Sequence, residues 1–259
     1  MRVWLTMYRK EMLEMRRNFK LLWLPLVFLL FGAMQPVSTY YMPQILEMAG
    51  GLPEGTVIEM PMPSGGEVMA SVISQFSSIG VLVLVLAGMG VVAAEKQSRS
   101  VSLIMVRPIS HLSWITAKWF AYVTLGIAAL LGGLLAGWYY TDLLFEPVEL
   151  SSLAAGFLAY ALWLIFIMTI TVLMSTLLKS GSAVAFISLL ITIVLTALTG
   201  LLSKFMAWSP ARLTGHAAAQ LIAGEPADHF AVSAICTVLL IAILLIIAVI
   251  SFKKQELYD

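Results

Sequence analysis

Six long apolar runs without a charged residue constrain this chain more than any other feature. We place them at residues 21–41, 68–94, 119–140, 151–178, 182–203 and 230–252. A helix needs about 20 apolar residues to cross about 30 Å of hydrocarbon, and each run reaches that length. Only 11% of the residues are charged, whereas soluble domains have roughly 25%. The sequence therefore predicts an all-α polytopic membrane protein, with residues 1–259 forming one transmembrane domain.

The charges between these runs predict the orientation of the chain in the membrane. The amino-terminal segment, residues 95–118, Lys179 and the carboxyl-terminal tail contain 13 of the 15 Lys and Arg residues. The three alternate connections contain 9 of the 14 Asp and Glu residues. Because cytoplasmic loops of membrane proteins are enriched in Lys and Arg, we expect both termini in the cytoplasm. About twenty residues with six cations precede the first run, so we also expect that run to remain as an uncleaved anchor.

Residues 1–20 have the periodicity of an amphipathic helix. At about 100° per residue, one arc collects mostly apolar side chains and the basic ones occupy the rest of the circumference. We expect this helix to lie on the inner leaflet, with its cations near anionic headgroups. The residues that define it best are Trp4, Tyr8, Arg9, Met12 and Arg16.

Two of the acidic connections have features of their own. Residues 42–67 are rich in Pro and Gly, which predicts an irregular external loop. In residues 204–229, Ser209 and Pro210 resemble a helix start and Gly224 a helix stop. We therefore expect a short external helix at residues 211–222. In the spans themselves, Gly133 and Gly137 are spaced for close helix packing.

The sequence contains no pattern for catalysis, metal binding or nucleotide binding. It lacks G-x-S-x-G, H-E-x-x-H and the P-loop G-x-x-x-x-G-K-[ST]. The predicted spans also lack the ionisable residues that mark proton-coupled transport. We therefore expect no enzyme, no metal site, no cofactor and no nucleic acid partner for this chain. If it transports actively, the energy must enter from another polypeptide, and residues 95–118 form the largest predicted cytoplasmic loop for that contact.

This loop resembles a stretch of ABC-2 type transporter permeases. The residues from Glu95 to Ser110, followed by Lys118, are similar to the family pattern E-k-e-x-G-T-l-e-x-l-l-x-x-P-v-s and its later Lys. Arg99 and Ser100 stand where the family usually has Gly and Thr. The basic amino-terminal helix, the six spans and the helical segment between the last two spans extend the resemblance across nearly the whole chain.

The resemblance implies a permease subunit of a bacterial ABC exporter in the cell membrane. Two separate ATPase subunits, which bind ATP and Mg²⁺, would dock on the cytoplasmic face, and a second permease, the same chain or a related one, would pair with this one among the membrane lipids. The amino-terminal helix would be the elbow helix of the family, and the loop would contain its coupling helix. The residues assigned to coupling by the resemblance are Glu95, Gln97, Ser98, Arg99, Ser100, Val101, Leu103, Ile104 and Pro108.

The uncharged spans favour an amphipathic, lipid-like or peptide substrate over a bare ion. Tyr160 and Trp163, with residues 138–140, are candidates to line a pathway, although aromatic residues near span ends are also typical of interface anchors. Two other functions use the same features. One is a membrane scaffold or sensor that binds a soluble partner without transport, and the other is a secondary transporter driven by a gradient.

Overall fold

The structure of the protein is a computed structural model that describes residues 2–48, 62–98 and 110–256. Within these ranges every regular element is helical. The elements are α1 (Arg2–Arg17), α2 (Lys20–Met48), α3 (Gly65–Gln75), a π-helical turn (Phe76–Gly80), α4 (Val81–Gly88), α5 (Ala93–Gln97), α6 (His111–Leu144), α7 (Leu150–Leu177), α8 (Gly181–Leu201), α9 (Arg212–Ala223) and α10 (Phe230–Glu256).

Six helical segments are long and apolar enough to cross a membrane. They are Lys20–Leu46, Gly65–Gln97, His111–Leu144, Leu150–Leu177, Gly181–Leu201 and Phe230–Lys254. The second of these contains α3, the π-helical turn, α4 and α5. These segments confirm the predicted all-α polytopic fold, and α1 confirms the amphipathic helix that precedes the first span.

The third span begins earlier than its apolar run. Ser110 is the N-cap of α6, and its Oγ accepts a hydrogen bond from the Ser113 backbone N–H at 3.2 Å. The helix therefore starts at His111 instead of residue 119, and it contains Lys118. The second span likewise extends beyond residue 94 to include Glu95. The helices therefore continue past the ends of the apolar runs and carry Glu95 and Lys118, whereas the runs themselves contain no ionisable residue.

The fourth membrane helix, α7, lies at the centre of the fold. In its most apolar window 72% of the residues are buried within the chain, against 22–28% for the first, fifth and sixth spans. Helix α7 packs against α10 on one side and against α9, α4 and α8 on others. The first, fifth and sixth spans therefore direct most of their apolar surface outward, as helices in contact with lipid do.

The first and third spans, α2 and α6, approach each other closely at glycine residues. A Cβ atom on Gly32 would lie 2.0 Å from the Gly133 carbonyl oxygen, and one on Gly137 would lie 3.2 Å from the Gly32 oxygen. The predicted packing role of Gly133 and Gly137 is therefore confirmed, and their partner is α2. Glycine permits this close approach because it has no side chain between the two helix backbones.

The second span is interrupted before its carboxyl-terminal end, and a side chain from α7 stabilises the break. Residues 89–92 form turns between α4 and α5. Ser175 Oγ accepts hydrogen bonds from the backbone N–H groups of Val92 and Ala93, at 3.0 and 2.9 Å, and donates to the Met89 carbonyl at 3.1 Å. These bonds satisfy backbone groups that the break leaves unpaired, and they fix the direction in which α5 leaves α4.

The short helix between the fifth and sixth spans is present as α9. It ends at Gly224, whose φ of +75° is the left-handed conformation typical of a helix C-terminus. Its start differs from the prediction, because residues 209–211 form turns and α9 begins at Arg212. Ser209 Oγ still accepts from the Ala211 N–H at 3.3 Å. Helix α9 packs against α7 and α3.

The glycine contact of α2 with α6 yields a prediction with an adjacent control. A Cβ on Gly133 would lie 2.7 Å from the Phe28 carbonyl oxygen, whereas one on Gly132 would meet nothing within 4 Å. Overpacking costs about 1–3 kcal/mol, and each kcal/mol shifts the unfolding temperature by about 2–4 °C in chains of this size. We expect Gly133→Leu to lower the unfolding temperature in detergent by about 5 °C, measured by tryptophan fluorescence. Gly132→Leu is the control, and an equal decrease in both variants would contradict the packing argument.

Candidate functional site: a buried charge network

Helix α1 is attached to the third span by aromatic side chains. Trp4 and Tyr8 stack with ring centroids 5.7 Å apart, and Phe120 of α6 meets both rings edge-on at 5.7 and 5.9 Å. Trp4 Nε1 also donates a hydrogen bond to Thr116 Oγ1 at 3.1 Å. One face of α1 is therefore packed on protein, whereas Arg9 and Arg16 on other faces are exposed.

This packed face carries a buried carboxylate. Glu11 follows Tyr8 by three residues and precedes Met15 by four, so it lies on the same stripe of the helix. Its carboxylate accepts from the Lys118 ammonium at 2.9 Å. The side chains of Glu11 and Lys118 are only 8% and 2% exposed. Charges removed from water to this degree are stabilised only when they are paired and hydrogen-bonded.

Glu95 joins the same ion pair from the end of the second span. Its Oε1 atom lies 2.9 Å from Lys118 Nζ and also accepts a short hydrogen bond from Lys10. Lys10 in turn pairs with Glu11 at 2.9 Å and with Glu14 at 3.1 Å. The five side chains form one network, which we call the α1–α5–α6 charge network: Lys10, Glu11, Glu14, Glu95 and Lys118.

The carboxylates determine the charge state of Lys10. Burial acts to lower its pKa, but the hydrogen bond to Glu95 and the negative charge of Glu11 outweigh burial and raise the pKa above its usual range. Because the pKa of Lys10 is higher in the folded state, its protonated form stabilises the fold. This stabilisation is complete below the unfolded-state pKa of about 10.4. It is lost only as the pH rises further into strongly alkaline solution. Lys10 is therefore a fixed positive charge at neutral pH.

Neighbouring contacts connect the network to two more helices. The Lys118 ammonium lies 5.0 Å from the centroid of the Trp114 ring, and Trp114 stacks on Phe252 of α10 at 4.5 Å. Lys96, which follows Glu95, donates to the Thr176 carbonyl at the end of α7 and lies 5.8 Å from the Phe252 ring. Five helices (α1, α5, α6, α7 and α10) therefore meet at this end of the molecule.

The carboxylates of Glu11, Glu14 and Glu95 also lie close enough together to suggest a metal site. Their ligand atoms fall within 4.8 Å of one another. However, the ammonium groups of Lys10 and Lys118 already lie against oxygens of these carboxylates and pair with them. We therefore interpret the cluster as an ion-pair network. One atom in it remains unsatisfied: Glu95 Oε2 is buried and receives no hydrogen bond from the described residues.

The structure describes some of the residues that the resemblance assigns to coupling. Glu95 is buried in the network, whereas Gln97 and Ser98 are exposed just beyond it. The other assigned residues lie outside the described part of the chain: Arg99, Ser100, Val101, Leu103, Ile104 and Pro108. The predicted coupling helix falls largely on these residues and stays a prediction.

The apolar arc of α1 packs on the protein. Trp4 and Tyr8 contact α6, Met12 packs against the core, and Met15 is buried. Sequence reasoning missed the partners of Glu95. The sequence feature that could have indicated a buried ion pair is Glu11, the carboxylate on the same helical stripe as Trp4, Tyr8 and Met15. Its partner on α6 is more than 100 residues away in the sequence, so the sequence does not identify it.

The aromatic residues considered for a pathway lie in different environments. Tyr160 and Trp163 are buried in the core of this chain, and the Tyr160 hydroxyl accepts a hydrogen bond from Ser77 at 3.3 Å. Tyr139 is 60% exposed, as expected for an aromatic residue near a span end. Within the described chain, Tyr160 and Trp163 pack between helices and do not line a channel.

Comparison with known proteins supports a membrane location and leaves the activity open. The model of a family described as "Protein of unknown function (DUF2705)" matches residues 57–258. The chain is also similar to the "Uncharacterized transmembrane protein YxlG" of Bacillus subtilis (strain 168), with 36% identity over 258 residues that cover 100% of both chains. The name of that relative agrees with the six membrane-spanning helices of this chain.

The charge network predicts a strong effect at Lys118. Removing one partner of a buried ion pair costs about 3–5 kcal/mol, because the remaining charge is left without compensation. We expect Lys118→Met to lower the unfolding temperature in detergent markedly, whereas Lys179→Met at an exposed position should have little effect. The double variant Glu11→Gln/Lys118→Met should lose less stability than the sum of its single variants, since the two side chains share one interaction. Strict additivity would refute the direct pairing.

Proposed function

The chain belongs to the DUF2705 family, and we propose that it is the membrane permease subunit of an ATP-driven ABC-2 type exporter. The observation that carries this proposal is the α1–α5–α6 charge network. It bridges the two ends of the 98–110 connection directly, since Glu95 precedes that connection, Lys118 follows it, and both bind α1.

The network provides a physical link between the loop and the membrane helices. In the proposed complex, two ATPase subunits dock on the 95–118 loop and supply the energy that this chain cannot obtain through a P-loop of its own. A displacement of the loop would move Glu95 and Lys118 together, because separating them would expose buried charges. Glu11 and Lys10 would then transmit the displacement to α1.

Contacts beyond the network would spread this movement to the rest of the chain. Trp114 stacks on Phe252 of α10, and Lys96 bonds the carbonyl of Thr176 at the end of α7. A movement of α5 and α6 would therefore reach the central helix α7 and the last span. In the proposed mechanism, ATP binding draws the ATPase subunits together and this shift opens the permease pair toward the outside.

The composition of the membrane helices supports an amphipathic, lipid-like or peptide substrate. The side chains in the middle of the spans are apolar, aromatic or hydroxylic. The charged residues Glu95 and Lys118 are paired with each other near one end of the helices. A second permease subunit would cover part of the apolar surface that α2, α8 and α10 leave uncovered in a single chain.

The proposed orientation can be tested by cysteine labelling. In a Cys236→Ala background, single cysteines replace exposed Gln97, which adjoins the network, and exposed Glu146, in the connection between α6 and α7. In intact bacterial cells we expect a membrane-impermeant maleimide to label the variant Glu146→Cys, and to label Gln97→Cys only after permeabilisation. The opposite pattern would place the 95–118 loop outside the cell and exclude cytoplasmic ATPase docking.

The ATPase partnership requires native membranes, because the ATPase is not part of this chain. Copurification of the tagged full-length chain, followed by mass spectrometry, identifies the associated ATPase. We expect Leu103→Asp to reduce its recovery at least tenfold. Leu150→Asp, which introduces the same charge at an exposed position of the opposite loop region, should leave recovery unchanged.

Reconstituted vesicles then separate transport from binding. With the identified ATPase present, we expect ATP-dependent movement of a fluorescent phospholipid or an amphipathic peptide. Glu11→Gln, which weakens the network without touching the loop, should retain the ATPase but lower transport per bound ATPase. Normal ATPase binding with no movement of either probe by the unmodified chain would favour the scaffold or sensor. Gradient-driven uptake by this chain alone would identify a secondary transporter.

A further inference from the structure

A cavity of about 390 Å³ lies at the other end of the molecule from the charge network. It is bounded by the last turns of α8, the first turns of α9 and Ala227 in the segment that leads to α10. Six spans place both chain termini on one side of the membrane, so this cavity opens on the opposite side. None of the residues that line the cavity belongs to the 95–118 loop.

The cavity contains a buried imidazole with no hydrogen-bond partner. His216 is 2% exposed, and neither ring nitrogen is bonded to any described residue. Phe230 covers the ring edge-on at 5.4 Å. Buried polar side chains in native structures nearly always have a hydrogen-bond partner. Two unpartnered nitrogens beside an open cavity therefore point to a ligand that forms hydrogen bonds with them.

Burial also determines the charge of this imidazole. Burial lowers the pKa of His216, and the positive charge of Arg212 acts in the same direction, with a smaller contribution from His229. The Ala227 backbone favours the protonated form slightly but does not reach hydrogen-bond geometry. At neutral pH the ring is therefore uncharged, with one N–H to donate and one nitrogen to accept.

The remaining lining indicates that the ligand is an anion. Arg212 contributes a guanidinium group that uses one N–H group to bond the Ser203 carbonyl at 2.7 Å and has further donors. Thr196 and Thr214 donate their hydroxyl hydrogens to backbone carbonyls, so the free donors are those of Arg212 and His216. Among the described residues no carboxylate lines the cavity. The N-terminal turn of α9 adds a partial positive charge.

We propose that the α8–α9 cavity binds a phosphate group through Arg212 and His216. A tetrahedral phosphate can accept two hydrogen bonds from a guanidinium group and still present an oxygen to an imidazole N–H. A carboxylate has only two oxygens for these donors. The phosphate can belong to a free ion or to a phospholipid headgroup at the membrane surface, and both present the same chemistry to the cavity.

The test uses the full-length chain in dodecyl maltoside, a detergent that contains no phosphate. The histidine rings are labelled with ¹⁵N, and the His216 signals are assigned by their absence in His216→Gln. Inorganic phosphate, dihexanoyl phosphatidylglycerol and acetate are titrated separately. We expect saturable shifts of the His216 signals with one or both phosphate compounds, and at least tenfold weaker binding of acetate.

Glycine substitutions provide matched variants. Gly215 and Gly200 line the cavity, and a Cβ on either meets nothing within 4 Å, so there is room at these positions for a side chain to begin. Gly132 is equally open but lies on α6, away from the cavity. We expect Gly215→Leu and Arg212→Gln to weaken phosphate binding at least tenfold, and Gly132→Leu to leave it unchanged. Circular dichroism and gel filtration check that each variant is folded.

The titrations can overturn the proposal in three ways. No saturable shift of His216 with either phosphate compound, equal binding of acetate, or unchanged phosphate binding by folded Gly215→Leu would each refute the site. Binding of phosphatidylglycerol without inorganic phosphate would identify a lipid headgroup as the source, and the reverse would identify a free ion. No ATPase is needed in this experiment, so its result does not depend on the proposed transport function.

Discussion

The Lys118 ammonium group lies where only 2% of the side chain is exposed to solvent. Taking a charged group out of water costs several kcal/mol unless an opposite charge pairs with it. Glu11 and Glu95 are its partners, and they come from two segments far apart in the sequence. These two ion pairs join α1 and the end of the second span to the third span. Both ends of the 98–110 connection are consequently tied to the same amino-terminal helix.

The interrupted second span makes this compensation possible. A straight helix from Gly65 to Gln97 would continue its axis past α4, but the turns at 89–92 redirect α5. Ser175 of the central helix α7 bonds backbone groups on both sides of that break. The direction of α5, and with it the position of Glu95, is therefore determined by α7. The network and the core are therefore parts of one packed arrangement.

Buried polar side chains have different surroundings at the two ends of the molecule. At the charge network, five charged side chains pair with one another. At the α8–α9 cavity, His216 is buried with no hydrogen-bond partner among the described residues, and Arg212 lines the same cavity. The first arrangement suits a link that must transmit force, and the second suits a site that must accept a ligand. The proposed functions of the two ends rest on separate observations and can fail separately.

The sequence by itself determined the fold class and the approximate positions of the membrane helices, because the cost of placing charges in hydrocarbon is large and local. It also determined the end of α9, since Gly224 is suited to a left-handed helix terminus. The charge network, the Ser175 contact and the orphaned His216 were decided only by the tertiary structure. In the sequence, Glu11 is an ordinary charge within the amino-terminal segment, and Lys118 is one just before the third apolar run. Their burial arises from the packing of α1 on α6, and such contacts between distant segments leave no local pattern that periodicity or composition can detect.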